Sequence, residues 1–128
     1  MLLNRDTWER TDSPNNAVEI DDNIADIIAT LNKKGYHTRA CCEGHEGADY
    51  FNYILFAEPL ETAPYNANIS PNRCSISYKW KRKRGGIERE EYEAFKRQVL
   101  EWEREWANGL PSMSSGLRGE ASSERRKQ

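Results

Sequence analysis

Two cysteines and one histidine lie close together in the stretch Cys-Cys-Glu-Gly-His at residues 41–45. Thiols and imidazoles are the side chains that most often bind metals or act as nucleophiles and bases. Glycine, which has no side chain, lets a ligand approach the backbone closely. The whole chain contains only three cysteines and two histidines. This stretch is therefore the first candidate for a binding or reactive site.

A zinc site is one interpretation of this stretch. Cys42 and His45 are spaced for chelation, and a further ligand could come from Cys74 or His37. Structural zinc sites usually show two ligand pairs in the sequence, however, and only one pair is obvious here. A nucleophilic cysteine with a histidine base is another interpretation, but no third group that would orient the base stands out. We therefore predict no metal, no cofactor and no catalytic residue.

Ligand binding by the loop at the end of this stretch is the interpretation that we favour. Gly44 would present backbone N–H groups, Glu43 would accept hydrogen bonds and His45 would pair with an anion. Asp49 adds a polar contact, and Tyr53 adds a surface for stacking. The predicted ligand is nucleotide-like or carries phosphate. The predicted ligand-binding residues are Cys42, Glu43, Gly44, His45, Asp49 and Tyr53.

A second candidate surface is the basic run at residues 79–84, Lys-Trp-Lys-Arg-Lys-Arg. Its cations could hold the phosphates of a polyanion and so make a weak nucleic-acid contact. The net charge of the chain is -2, so only this local patch supports such a contact. Trp80 is in phase with Ile76 and Tyr78, which predicts that its ring lies in the core. The predicted polyanion-binding residues are Lys79, Lys81, Arg82, Lys83 and Arg84.

The hydrophobic pattern predicts a helix and then a strand that together lead into the candidate site. Residues 18–34 carry isoleucines and a leucine at helical spacing, and Gly35 is well suited to end the helix. Residues 36–42 favour a strand. Strict alternation along that strand would place Thr38 and Cys42 on the same face.

Two further strands and a second helix follow. Residues 53–57 form a continuous apolar run that predicts a buried central strand, and residues 58–72 are rich in proline and asparagine, as in loops. Residues 74–82 alternate like a strand, and residues 87–107 carry an aromatic stripe at helical spacing. This order favours an α+β fold, with a small antiparallel sheet of about three strands and two helices packed on one face.

The chain divides into three parts by composition. We predict an N-terminal arm over residues 1–16, a single α+β domain over 17–111 and a disordered tail over 112–128, which is almost without apolar residues. Nothing at the N-terminus resembles a signal peptide, and no apolar run approaches the ~20 residues of a membrane span. We therefore expect a cytoplasmic protein with reduced thiols and no membrane contact.

Residues 31–45 resemble a recurring pattern, which is a helix ending in Leu-Asn, a Tyr-x-Thr strand and a Ser-Cys-x-Gly-His turn. The pattern resembles small uncharacterised proteins of Gram-positive bacteria and their phages. It is more distantly similar to the wybutosine-synthesis methyltransferase family, which acts on transfer RNA and has arginine in place of His45. The resemblance implies an α+β scaffold with a site at this turn. Four residues fall on positions of the pattern: Tyr36, Thr38, Cys42 and Gly44.

From these observations we expect a small binding protein rather than an enzyme, with a nucleotide-like ligand or a host protein as its partner. Two alternatives stay open. The phage-like resemblance allows an inhibitor that blocks a host defence effector by protein–protein contact, and the site allows a nucleotide- or RNA-modifying enzyme. Turnover of a ligand would separate an enzyme from a binder, and binding to a protein without a small ligand would indicate an inhibitor.

Overall fold

The computed structural model describes residues 1–44, 52–79 and 89–113 of the 128-residue chain. These residues form two helices and two antiparallel sheets, one of two strands and one of four. The α+β class expected from the sequence is therefore confirmed. Within the described ranges, no helix combines the length and the apolar character needed to cross a membrane.

The smaller sheet includes the first residues of the chain. β1 (Leu2–Asn4) pairs antiparallel with β2 (Ala17–Glu19), and Leu3 is opposite Val18. Leu3 is only 3% exposed and belongs to the main hydrophobic core. The segment 1–16, which the sequence indicated as an arm, thus contains a strand that helps to cover the core.

The larger sheet is built from β3 (Thr38–Cys42), β4 (Asn52–Phe56), β5 (Asn68–Ile69) and β6 (Ser75–Tyr78). Its strand order is β3-β4-β6-β5, and all neighbours are antiparallel. β4 is the central strand that the apolar run predicted. β5 is a two-residue strand within the segment 58–72, where the sequence indicated only loop.

The inner face of this sheet carries the core. Ile54 is opposite Cys41 on one side and Ile76 on the other, and directly opposed residues of antiparallel strands share a face. Ile54 and Ile76 are fully buried. Apolar side chains of both helices belong to the same core cluster as Ile54, Phe56 and Ile76. These helical residues are Ala25, Ile27, Ile28, Leu31, Leu100 and Ala107.

A β-bulge decides which residues of β3 face the core. The pairing register with β4 shifts between Thr38 and Ala40, which leaves Arg39 without a partner. Thr38 and Cys41 are therefore both opposite inner-face residues of β4. The prediction that Cys42 shares a face with Thr38 is wrong, because the extra residue of a bulge reverses the alternation beyond it.

The first helix, α1, spans Ala25–Lys33 and is shorter than the predicted 18–34. The residues before it pair with β1 or form a turn, although Ile24 is still fully buried. Gly35 has a φ of 99° and follows the last helical turn, as expected for a C-terminal capping glycine. The N–H groups of Gly35 and Tyr36 bond back to carbonyls of that turn.

The second helix, α2, spans Arg89–Gly109. Its predicted aromatic stripe contacts the core, with Val99 fully buried, whereas the tryptophans are only partly buried. Glu103 lies one turn beyond Val99 and one turn before Ala107, and all three side chains are 0% exposed. A carboxyl group thus lies on the buried face of α2, where apolar residues are expected.

Candidate functional site

The described part of the predicted turn is tied to two other segments through the carboxylate of Glu43. Its Oε1 accepts a hydrogen bond from the Asn23 N–H at 2.7 Å, and its Oε2 accepts one from Asn23 Nδ2 at 3.0 Å. Lys96 Nζ on α2 lies 2.9 Å from the same Oε2. Glu43 is a buried residue, and its side chain joins the end of β3 to the residues before α1 and to α2.

The ion pair between Glu43 and Lys96 is largely enclosed, with side chains 11% and 16% exposed. Burial alone raises the pKa of Glu43, but the hydrogen bonds from Lys96 and Asn23 outweigh it and lower the pKa below its usual value. Burial likewise lowers the pKa of Lys96, and the contact with Glu43 raises it by more. Both groups are charged at neutral pH. The hydrogen-bonding capacity of Glu43, which the sequence assigned to a ligand, is used within the protein.

The backbone donors of the turn also have partners. The N–H of Glu43 donates to Asp21 Oδ2 at 3.1 Å. Gly44 has a φ of 118°, in the left-handed region that favours glycine, and its backbone forms a hydrogen bond with the Cys42 thiol. The turn therefore needs its glycine for the path of the chain, and these two N–H groups point at protein atoms.

The adjacent cysteines lie on opposite faces of the sheet. Burial, followed by the charge of Asp21, raises the pKa of Cys41 to about 12. Burial also raises the pKa of Cys42, and the hydrogen bond from Gly44 offsets this in part. A thiol with a raised pKa is protonated at neutral pH, and it is then a poor nucleophile and a poor metal ligand. The residues that the structure describes contain no group of three metal-binding side chains.

A buried polar pair that joins β4 to α2 is not predicted by the sequence analysis. Asn52 Nδ2 donates to Glu103 Oε1 at 3.1 Å, and both side chains are 0% exposed. Asn52 Oδ1 and Glu103 Oε2 have no hydrogen-bond partner among the described residues. Burial raises the pKa of Glu103 to about 8, even though Asn52 and the charge of Arg104 act in the opposite direction. The carboxyl group is therefore mostly neutral at pH 7.

An open cleft of about 600 Å³ lies on the outer face of the larger sheet. Tyr53 is opposite Cys42 on one side and Ser77 on the other, so these three residues share the outer face. Leu55, which also lines the cleft, is 39% exposed. Among the described residues that line the cleft, Lys79 is the only charged one. The uncharged polar residues that line the cleft with Tyr53 include Asn68, Ser70, Ser75 and Ser77.

The structure brings three of the predicted site residues to the outer face: Cys42, Tyr53 and Lys79. Glu43 and Gly44 lie at the end of β3, where Glu43 points toward Asn23 and α2. The other predicted residues lie outside the described part of the chain. They are His45, Asp49, Trp80, Lys81, Arg82, Lys83 and Arg84, together with the tail from residue 114 onward.

Comparison with protein families, with curated proteins and with solved structures gives no match for this chain. The resemblance of residues 31–45 to bacterial and phage proteins and to the wybutosine-synthesis family stays a prediction. The candidate site is accordingly defined by its geometry, which is an open sheet face with an aromatic ring, a lysine and several hydroxyl groups.

Proposed function

We propose that the protein binds a nucleotide-like, phosphate-bearing ligand on the outer face of its larger sheet. The observation that carries this proposal is that Tyr53 and Lys79 line one cleft of about 600 Å³. Bases stack on aromatic side chains, and lysine holds phosphate groups. Four-stranded antiparallel sheets with aromatic residues on an open face are used in this way to bind single-stranded RNA.

Polar groups next to the ring support recognition of a base. Ser77 is directly opposite Tyr53, and Asn68 is opposite Ser77 on the next strand. Hydroxyl and amide groups both donate and accept hydrogen bonds, so they can pair with the edge of a base that stacks on the ring. The volume of the cleft lies within the range of about 300–1,000 Å³ that is usual for small-molecule sites.

The ligand would lie beside the turn at Glu43 and Gly44 rather than within it. At that turn the N–H of Glu43 already donates to the Asp21 carboxylate, which would repel a phosphate group. Lys79, in contrast, is the first residue of the basic run 79–84, so further cations follow directly in the sequence. This supports an arrangement in which the base stacks on Tyr53 and the phosphate is directed toward the basic run.

Binding without turnover is the form of activity that we propose. Burial raises the pKa of both Cys41 and Cys42, so both thiols stay protonated at neutral pH and are not activated as nucleophiles. The neutral carboxyl group of Glu103 lies on the inner side of the sheet, away from the cleft that contains Tyr53.

Fluorescence anisotropy with a labelled ten-nucleotide oligoadenylate, with competition by AMP, tests the proposal. Tyr53→Ala should weaken binding by about fivefold or more, because stacking on an aromatic ring contributes ~1–3 kcal/mol. Its free energy of unfolding should change by less than ~1 kcal/mol. Tyr65→Ala is the matched control, because Tyr65 is 71% exposed and contacts Trp102 instead of the cleft. No saturable binding of either probe, or equal losses in the two variants, would refute the proposal.

A further inference from the structure

A second cleft, of about 460 Å³, has aromatic walls and an acidic rim. It lies between the residues just before β3, the segment that follows β4 and the end of α2, and none of the described residues lines both this cleft and the outer-face cleft. Its aromatic residues are Tyr36, Phe56 and Trp106, and its carboxylates are Glu58 and Glu61. The two clefts therefore differ in the sign of their charged groups.

The aromatic walls are held in place by specific contacts. The Trp106 Nε1–H donates to Thr62 Oγ1 at 3.0 Å, and its ring meets Phe56 edge to face with centroids 6.1 Å apart. The Tyr36 hydroxyl donates to the Pro111 carbonyl at 2.9 Å. The polar atoms of Trp106 and Tyr36 are thus used within the protein. Rings fixed in this way lose little freedom when a ligand packs against them.

The two carboxylates at the rim have no ion-pair partner among the described residues. Arg73 is close, but its guanidinium donates to the backbone carbonyls of Leu60 and Glu61 at 2.6 and 2.9 Å and not to a carboxylate. Burial, and after it the charge of Glu61, raises the pKa of Tyr36. The field of Glu61 therefore reaches an aromatic wall of the cleft.

We propose that this cleft binds the guanidinium group of an arginine side chain presented by a partner peptide. A planar guanidinium stacks on aromatic rings and forms paired hydrogen bonds with carboxylates, and this cleft offers both kinds of group. Among the described residues that line this cleft, His37 is the only basic one, so a cation meets complementary charge there and an anion does not. The site is independent of the nucleotide-like ligand proposed for the outer face.

Titration of the ¹⁵N-labelled full-length protein with N-acetyl-arginine amide, followed by NMR, tests this site. The Trp106 indole N–H resonance should shift and reach saturation, because its hydrogen bond to Thr62 lies in the wall of the cleft. N-acetyl-citrulline amide has nearly the same shape without the charge and should bind at least tenfold more weakly. A shift that stays linear, or saturation by both compounds at similar concentrations, would overturn the proposal.

Variants at the rim give the second measurement. The double substitution Glu58→Gln and Glu61→Gln should weaken binding of N-acetyl-arginine amide at least tenfold and leave the melting temperature unchanged, since both residues are exposed. Glu105→Gln removes an exposed charge on α2 outside the cleft and should leave binding intact. Equal affinity in the double variant would overturn the proposal. Tighter binding of spermidine than of the arginine compound would also do so, because it would assign the cleft to alkylammonium groups.

Discussion

The inner and outer faces of the larger sheet use neighbouring residues of the same strands for different purposes. On β4, Ile54 and Phe56 are 0% and 4% exposed, whereas Leu55 between them is 39% exposed. On β3, Cys41 faces the core and Cys42 shares the outer face with Tyr53. Substitutions one residue apart should therefore differ sharply in their effect on the free energy of unfolding, because side chains on the inner face pack in the core and those on the outer face do not.

The largest contrast is expected between Phe56 and Leu55. Phe56→Ala should lower the free energy of unfolding by about 3–5 kcal/mol, because it leaves a cavity in the core beside Trp106. Leu55→Ala removes a side chain that is already partly solvated and should lower it by less than ~1 kcal/mol. Urea unfolding followed by circular dichroism measures both values. Similar losses in the two variants would show that the outer face is also packed.

A smaller loss of stability is expected on substitution of Glu43, the residue that follows the end of β3. Glu43→Ala should lower the free energy of unfolding by about 2–3 kcal/mol, because it leaves Lys96 largely enclosed without its anion and removes two bonds to Asn23. A double-mutant cycle with Lys96→Ala should show coupling of at least ~1 kcal/mol. Strictly additive effects would contradict this structural role and make Glu43 a candidate ligand contact again.

Glu103 should make the stability of the inner side depend on pH. In the unfolded chain its carboxyl loses its proton near the ordinary glutamate pKa of 4.5, whereas in the folded protein it keeps the proton up to about pH 8. The folded state therefore binds more protons between these values, and stability should fall as pH rises from 5 to 8. The fall should be at least about 1.4 kcal/mol, the equivalent of one pKa unit.

Glu103→Gln is the control for this effect. Its side chain resembles the neutral carboxyl group in shape and does not titrate, so the decline attributed to Glu103 should disappear. Chemical denaturation of both proteins at several pH values between 5 and 8 measures the difference. Parallel pH profiles in the two proteins would show that Glu103 does not keep its proton in the folded state.

The smallest effect, one on rate and not on stability, concerns the two thiols. Two variants that each keep one cysteine are compared: Cys41→Ser with Cys74→Ser keeps Cys42, and Cys42→Ser with Cys74→Ser keeps Cys41. The variant that keeps Cys42 should react with iodoacetamide at pH 8 about tenfold faster than the variant that keeps Cys41. Cys41 faces the core and its pKa is raised to about 12, so very little of it is thiolate. Mass spectrometry over time follows the reaction. Equal rates would place both thiols in equivalent environments and weaken the assignment of faces.

Local pattern was sufficient to predict the helices and the central strand. Ile24, Ile27 and Leu31 repeat at helical spacing and are indeed buried, and Gly35 caps α1 as expected. α1 begins later than the periodicity predicts, because residues 17–19 pair with residues 2–4 as a strand. That pairing is a contact between distant segments, and it overrides the preference of the local sequence.

The arrangement of the site was harder to predict, because it depends on one irregularity and on one polar residue. The bulge at Arg39 reverses the faces of Cys41 and Cys42, and no residue type in that strand signals it. Glu103 could have been found, since it lies four residues from both Val99 and Ala107 on the apolar side of α2. The signal is weak because the helix is rich in glutamate, and most glutamates on such a helix face the solvent.

The bulge also has a consequence for the behaviour of many copies of the chain together. β3 is at one edge of the larger sheet, and the unpaired backbone groups of an edge strand can pair with another molecule and start aggregation. A bulge interrupts that row of groups and increases the twist of the strand, which hinders such pairing. Arg39 adds an exposed charge at the same place. Deletion of Arg39 would straighten this edge and leave Cys41 and Cys42 opposite Ile54 and Tyr53, so it should lower solubility without exchanging the faces of the two thiols.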